Sequence, residues 1–193
     1  MNLPNRLTAA RVVLTFIFVA TLSAEWRFAR TTGLVIFILA GITDYLDGSI
    51  ARKRNLVTDF GKLMDPLADK IMMASAFILL VPLEAFPAWV AIVIISREFA
   101  ITGLRLLAAS KGVVLPSERM GKHKTVWQIV TVCFFLLLLS IKEFATAGIG
   151  QSGMWWTMAW KFGGGALIAL ALVLTLYSGV GYLWKNRALI SAS

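Results

Sequence analysis

The chain is 193 residues long, 59% hydrophobic and 15% charged, with a mean hydropathy of +0.79. Soluble domains carry about 45–50% apolar and about 25% charged residues, so an ordinary soluble enzyme is excluded and an integral membrane protein is expected. The formal net charge of +9 does not point to nucleic acid, because the basic residues fall in short connections between apolar blocks, a pattern of membrane topology, anionic lipid or phosphate-bearing substrates.

In chain order, Pro4 and Asn5 open a short polar segment expected at the membrane interface. Six apolar segments follow, at Leu7–Ala24, Thr31–Ser49, Pro66–Leu83, Pro87–Ala109, Thr125–Ile141 and Trp160–Trp184. Each approaches the roughly 17–25 residues of a membrane helix. The expected fold is therefore all-α: a single bundle of six transmembrane helices using residues 1–193 as one domain. The first block lacks a small-residue cleavage site and reads as a retained helix. Glu84 and Pro87 mark a tight connection, and Gly148–Trp156 reads as an interfacial loop near an aromatic belt. Cys133 lies in an apolar run and reads as a small buried hydrophobe. With the N-terminus inside, twelve cations fall on inner connections (Arg6, Arg11, Arg52, Lys53, Arg54, Lys62, Lys111, Arg119, Lys122, Lys124, Lys185 and Arg187), against Arg27, Arg30, Lys142 and Lys161 outside. Both termini are thus expected in the cytoplasm, as is the basic loop from Arg52 to Lys62.

Four of the five aspartates stand in two pairs on either side of that loop: Asp44 and Asp47, then Asp65 and Asp69. Spacings of three and four residues put each pair on one helix face. Carboxylates at membrane depth are costly and normally face a cavity, an ion or a partner. Four converging carboxylates repel unless cations lie between them, and Mg²⁺ prefers such oxygen donors together with substrate phosphates. Gly48 and Ala51 strip side chains from the helix beside Asp47, Arg52 supplies a forked cation suited to phosphate, and Gly61 opens space before the second pair. Lys62 and Lys70 flank that pair, while Asp59 reads as a solvated loop residue.

The pattern D-x2-D-G-x2-A-R-x8-G-x3-D-x3-D, carried without a gap by Asp44, Asp47, Gly48, Ala51, Arg52, Gly61, Asp65 and Asp69, resembles the signature of the CDP-alcohol phosphotransferase family of membrane enzymes. The resemblance implies transfer of a substituted phosphate from a CDP-linked donor to an alcohol, with release of CMP. It implies that Asp44, Asp47, Asp65 and Asp69 hold two divalent ions, Mg²⁺ or Mn²⁺, and that Asp69 also acts as general base. Gly48, Ala51, Arg52 and Gly61 would line the nucleotide site, with Thr58 a further contact. Asn5, Thr8 and Arg11 resemble a polar strip near the nucleotide, although Asn5 serves equally as a helix cap. A homodimer is also implied.

The acceptor is expected from two other clusters. Arg97 and Arg105 are eight residues apart, about two helical turns, so both can face one cavity, and Glu98 can pair with either. Lys122 and Lys124 stand at the start of the fifth segment, with His123 between them as a surface residue. Four cations describe a pocket for an anion beyond the donor's own phosphates. These stretches, R-E-F…R and G-K-H-K-T, resemble the bacterial phosphatidylglycerophosphate synthases of the family. That implies CDP-diacylglycerol as donor and sn-glycerol 3-phosphate as acceptor, in the bacterial inner membrane with the site facing the cytoplasm. Arg54 and Arg119 are possible helpers. An inositol phosphate acceptor is the nearest rival, and a small cation transporter is the rival from another class.

Overall fold

The computed structural model describes residues 3–54, 59–113, 115, 119–149 and 153–187, with side chains outside 3–8, 44–54, 59–66 and 119–122. Among the described residues the architecture is helical without strands: α1 (Leu3–Ser23), α2 (Ala29–Arg54), α3 (Asp59–Leu80), α4 (Ala88–Ser110), α5 (Arg119–Thr146), a short α6 (Met154–Met158), a π-helical turn (Ala159–Gly163) and α7 (Gly164–Lys185). α1 packs on α2 and α3, α5 on α2 and α7, and α4 on α7 and α3.

The helices depart from the expected segments in ways with local causes. α1 begins at Leu3, so the polar opening is continuous with the first apolar helix. Pro66 suggests a helix start because proline fits the first turn, yet it lies inside α3, which begins at Asp59; Asp59 thus opens a helix where a loop residue was expected. α4 keeps the expected boundary: Pro87, with φ −66° and ψ 131°, precedes its first residue. Glu84 takes φ 55° in the tight connection before it, the left-handed region that side-chain-bearing residues seldom adopt. Trp155 and Trp156 lie in α6 rather than in a loop. The Trp156 indole Nε1 donates to the Leu138 carbonyl at 2.8 Å and its ring stacks on Trp160 at 5.0 Å, which ties this turn to α5.

The main core is apolar, with Phe18, Phe37, Phe77, Leu80, Ile94 and Phe135 almost wholly enclosed. Close helix approach depends on missing side chains: a Cβ on Gly33 would lie 2.7 Å from Leu22, and one on Gly164 2.6 Å from Phe135. Around this core the usual distribution is inverted. Thr15, Lys124, Gln128, Thr131, Thr175 and Ser178 are buried, whereas Phe16 is 68% exposed and Phe162 76%. An outward face of large apolar side chains suits a hydrocarbon surrounding better than water. Among the described residues, His123–Thr146 and Met154–Lys185 are long and apolar enough to cross a membrane; Ala9–Ser23 and Ala29–Thr43 are shorter apolar helices.

Candidate active site

The two aspartate pairs come to the same end of the bundle. Asp44, Asp47, Gly48, Ala51 and Arg52 occupy about the last three turns of α2, and Gly61, Asp65 and Asp69 about the first three of α3. Only residues 55–58 separate the two helices. Asp69 is the one of these whose side chain is described. Thr58, and the side chains of Asp44, Asp47, Arg52, Asp65, Asn5, Thr8 and Lys122, lie outside the described residues.

Asp69 is exposed and stands in the walls of two cavities. The first, with about 760 Å³ of empty space, is predominantly apolar and is built from α1, α2, α3 and α5: Phe37, Ile38, Ile42, Met72, Ile129 and Cys133 line it, with Arg11 and Asp69 as its charged groups. Ile38, Ile42 and Ile129 are also exposed on the outward surface, so this cavity opens sideways. Arg11 is 3% exposed and is the member of the N-terminal polar strip that the described side chains place beside Asp69. Cys133, expected as a buried hydrophobe, is half-buried in the same wall.

The second, smaller cavity lies between α3, α4 and α5 and is the more polar of the two: Asp69, Lys70, Glu98, Thr125 and Gln128 share its wall with apolar side chains such as Met73, Phe77 and Ile94. Behind it, Glu98 links two of the expected acceptor cations: its Oε1 accepts from Arg97 Nη1 at 3.2 Å and from Lys124 Nζ. Lys124 is 4% exposed, an ammonium held inside the bundle against a carboxylate. Lys70 and Lys124 lie within electrostatic reach of each other, of Asp69 and of Arg97, and Lys70 also of Arg105. Arg97 and Arg105 both turn toward α7: Arg97 Nη2 donates to Ser178 Oγ at 3.1 Å, and Arg105 Nε to the Tyr182 hydroxyl at 3.1 Å. Of the cations expected from two separate stretches, Arg97 and Lys124 therefore meet on Glu98, while Arg105 is an exposed residue bound to Tyr182. His123 is exposed, as expected.

Several participants were not singled out by the sequence. Gln128 had a signal in its spacing of four from Lys124, which puts both on one face of α5, while Lys70 in the same wall is the lysine already noted as flanking the second aspartate pair. Ser178 and Tyr182 had none, since small and aromatic residues are ordinary in an apolar helix.

The arrangement places the Asp69 carboxylate where an apolar compartment meets a more polar one that also holds Lys70, Glu98, Thr125 and Gln128, which is suited to joining a lipid to a charged, water-soluble molecule. A profile of the family described as CDP-alcohol phosphatidyltransferase matches residues 1–177. The chain is 39% identical over 204 residues to the CDP-diacylglycerol–glycerol-3-phosphate 3-phosphatidyltransferase of Bacillus subtilis (strain 168), covering 100% of this chain and 98% of that protein. It is 39% identical over 136 residues to the protein of the same designation from Rickettsia felis (70% of this chain, 75% of that protein). It is 35% identical over 184 residues to a probable phosphatidylglycerophosphate synthase of Mycobacterium tuberculosis (94% of this chain, 79% of that protein). With its unbroken aspartate signature and a family match over most of its length, the chain belongs to the CDP-alcohol phosphatidyltransferase family.

Proposed function

We propose that this protein transfers the phosphatidyl group of CDP-diacylglycerol to sn-glycerol 3-phosphate, giving phosphatidylglycerol phosphate and CMP. The observation that carries the reading is the position of Asp69 in the walls of both cavities. The sideways, apolar cavity suits the acyl end of a lipid donor. The polar one, backed by Arg97 and Lys124, suits an acceptor that carries its own phosphate. The designations of the relatives support the same pair of substrates.

The donor set fits a hard divalent cation, since all four signature acids are carboxylates. Asp44, Asp47, Asp65 and Asp69 would hold two Mg²⁺ or Mn²⁺ ions, which when bound would offset negative charge on the donor's pyrophosphate. Arg52 would hold a phosphate oxygen of the donor, while Gly48, Ala51 and Gly61, with Thr58, Asn5 and Thr8, would leave room for and contact the nucleotide. Arg97, Arg105, Lys122 and Lys124 would hold the acceptor phosphate. Asp69 takes the proton from the acceptor's C1 hydroxyl. The freed oxygen attacks the phosphorus that bears diacylglycerol, and the bond from that phosphorus to the CMP oxygen breaks.

The same reading places the chain in the bacterial inner membrane as one domain of six spans, acting as a homodimer, with both termini and the site at the cytoplasmic face. The exposed apolar side chains and the excess of inner cations support it. The test offers purified protein CDP-diacylglycerol, Mg²⁺ and one alcohol at a time, reading CMP. Release with glycerol 3-phosphate above all others is expected. Release with an inositol phosphate alone would move the acceptor and keep the reaction, and no release with any alcohol would overturn both.

A further inference from the structure

The last helix carries no signature residue, yet its inward face is polar. Thr175, Ser178, Gly179 and Tyr182 follow the spacing i, i+3, i+4, i+7, which is one side of a helix, and all four are buried. Polar groups in so apolar a helix are retained where they have partners, and the partners here are Gln128, in the wall of the second cavity, and two of the arginines proposed for the acceptor. Gln128, in the wall of the polar cavity, donates through Nε2 to Thr175 Oγ1 at 3.0 Å. Arg97 donates to Ser178 Oγ, whose own hydroxyl is directed by a bond to the Thr175 carbonyl at 3.2 Å. Arg105 bonds the Tyr182 hydroxyl and lies over the Tyr182 ring, 5.3 Å from its centre.

Gly179 completes the set. A Cβ there would stand 2.9 Å from Arg97 Cγ and 3.1 Å from its Nε, so the Arg97 stem lies directly on the α7 backbone. Two bonds in different directions then fix its guanidinium, Ser178 through Nη2 and Glu98 through Nη1. For Arg105 the bond uses Nε, so the fork of terminal nitrogens that suits a phosphate is not consumed by it.

We propose that this face of α7 is the specificity-determining support of the acceptor site: Ser178, Gly179 and Tyr182 are positioning residues that set the two arginines for an alcohol carrying a phosphate monoester. The inference rests on the reaction proposed above. Its consequence is selective, because these residues touch the acceptor cations while the donor cavity is built from α1, α2, α3 and α5.

The test measures kcat, the KM of each substrate and the melting temperature for full-length Tyr182→Phe, Ser178→Ala and Gly179→Val, with Tyr177→Phe, on the exposed side of the same helix, as control. Tyr182→Phe keeps the ring and removes only the hydroxyl, so it should fold. Loss of a hydrogen bond to a charged group should raise the KM for glycerol 3-phosphate about tenfold, with the KM for CDP-diacylglycerol changed less than about twofold. Gly179→Val should do at least as much by displacing Arg97, and Tyr177→Phe should change nothing. An acceptor KM left unaltered in Tyr182→Phe and Ser178→Ala, or both KM values raised together, would overturn the proposal while leaving the reaction standing. Wild-type protein that releases no CMP with any alcohol would overturn the reaction and this inference with it.

Discussion

The two ends of the bundle each hold a carboxylate among helices, and they use it in opposite ways. At one end, Glu143 of α5 accepts from the backbone N–H groups of Arg30 and Thr31 at 2.8 Å each and from the Thr31 hydroxyl at 2.8 Å, while that hydroxyl also meets Ser140 Oγ at 2.7 Å. A negative group on the opening turn of α2 satisfies donors that the helix cannot and complements its dipole. Neutral groups bonded to one acid make a joint. At the other end, among the described side chains, Asp69 and Glu98 stand with the cations Lys70, Arg97 and Lys124 beside cavities. The same side-chain chemistry closes a joint where its partners are neutral and complete, and is left facing an opening where cations stand around it.

The sharpest way to break this contrast is to remove divalent ions. Chelation with EDTA should cut CMP release by about a thousandfold or more, since offsetting charge on the reacting phosphates is commonly the largest catalytic contribution. Mg²⁺ or Mn²⁺ should restore it, and undiminished activity in EDTA would remove the metal role of the aspartates. Next in size, Lys124→Met should raise the KM for the acceptor by about 10–100-fold through loss of a charge-assisted contact. A matching rise in the KM for CDP-diacylglycerol would show that the polar cavity is not the acceptor's.

Ile42→Trp sharpens the other half of the contrast. An indole in the sideways opening should raise the KM for CDP-diacylglycerol several-fold and leave that of glycerol 3-phosphate unchanged; no change would mean that the lipid enters elsewhere. The smallest effect on catalysis belongs to the joint: Glu143→Ala should lose about 1–3 kcal/mol of stability by uncapping α2, lowering the melting temperature with kcat within about twofold of wild type. Loss of activity without loss of stability would place Glu143 in the catalytic machinery and erase the distinction.

What was legible in the sequence follows from how far apart the interacting residues are. Asp44 with Asp47, and Asp65 with Asp69, act at helical spacing along one segment, and both helices run through them. The α4 boundary was legible because Pro87 fixes its own backbone. Pro66 misled because its preference for a first turn does not bar it from the interior of a helix, and α3 runs through it from Asp59. The joint at Glu143 was hidden because its partners lie more than a hundred positions away along the chain. So was the role of α7: Ser178 and Gly179 look like ordinary small residues of an apolar helix until Arg97, distant in sequence, is laid across them. Glu98, read as a partner for Arg97 or Arg105, also takes Lys124 and so links two stretches that the sequence keeps apart.

The most direct measurement follows labelled glycerol 3-phosphate in vesicles that contain CDP-diacylglycerol and either wild-type protein or Asp69→Asn, counting label in the organic phase against CMP in the aqueous phase. The proposed reaction predicts that wild type moves one label into lipid for each CMP released, and that Asp69→Asn, still folded by its melting temperature, loses about a hundredfold or more of both through loss of the general base. CMP release without label in lipid, or an Asp69→Asn variant as fast as wild type, would contradict it.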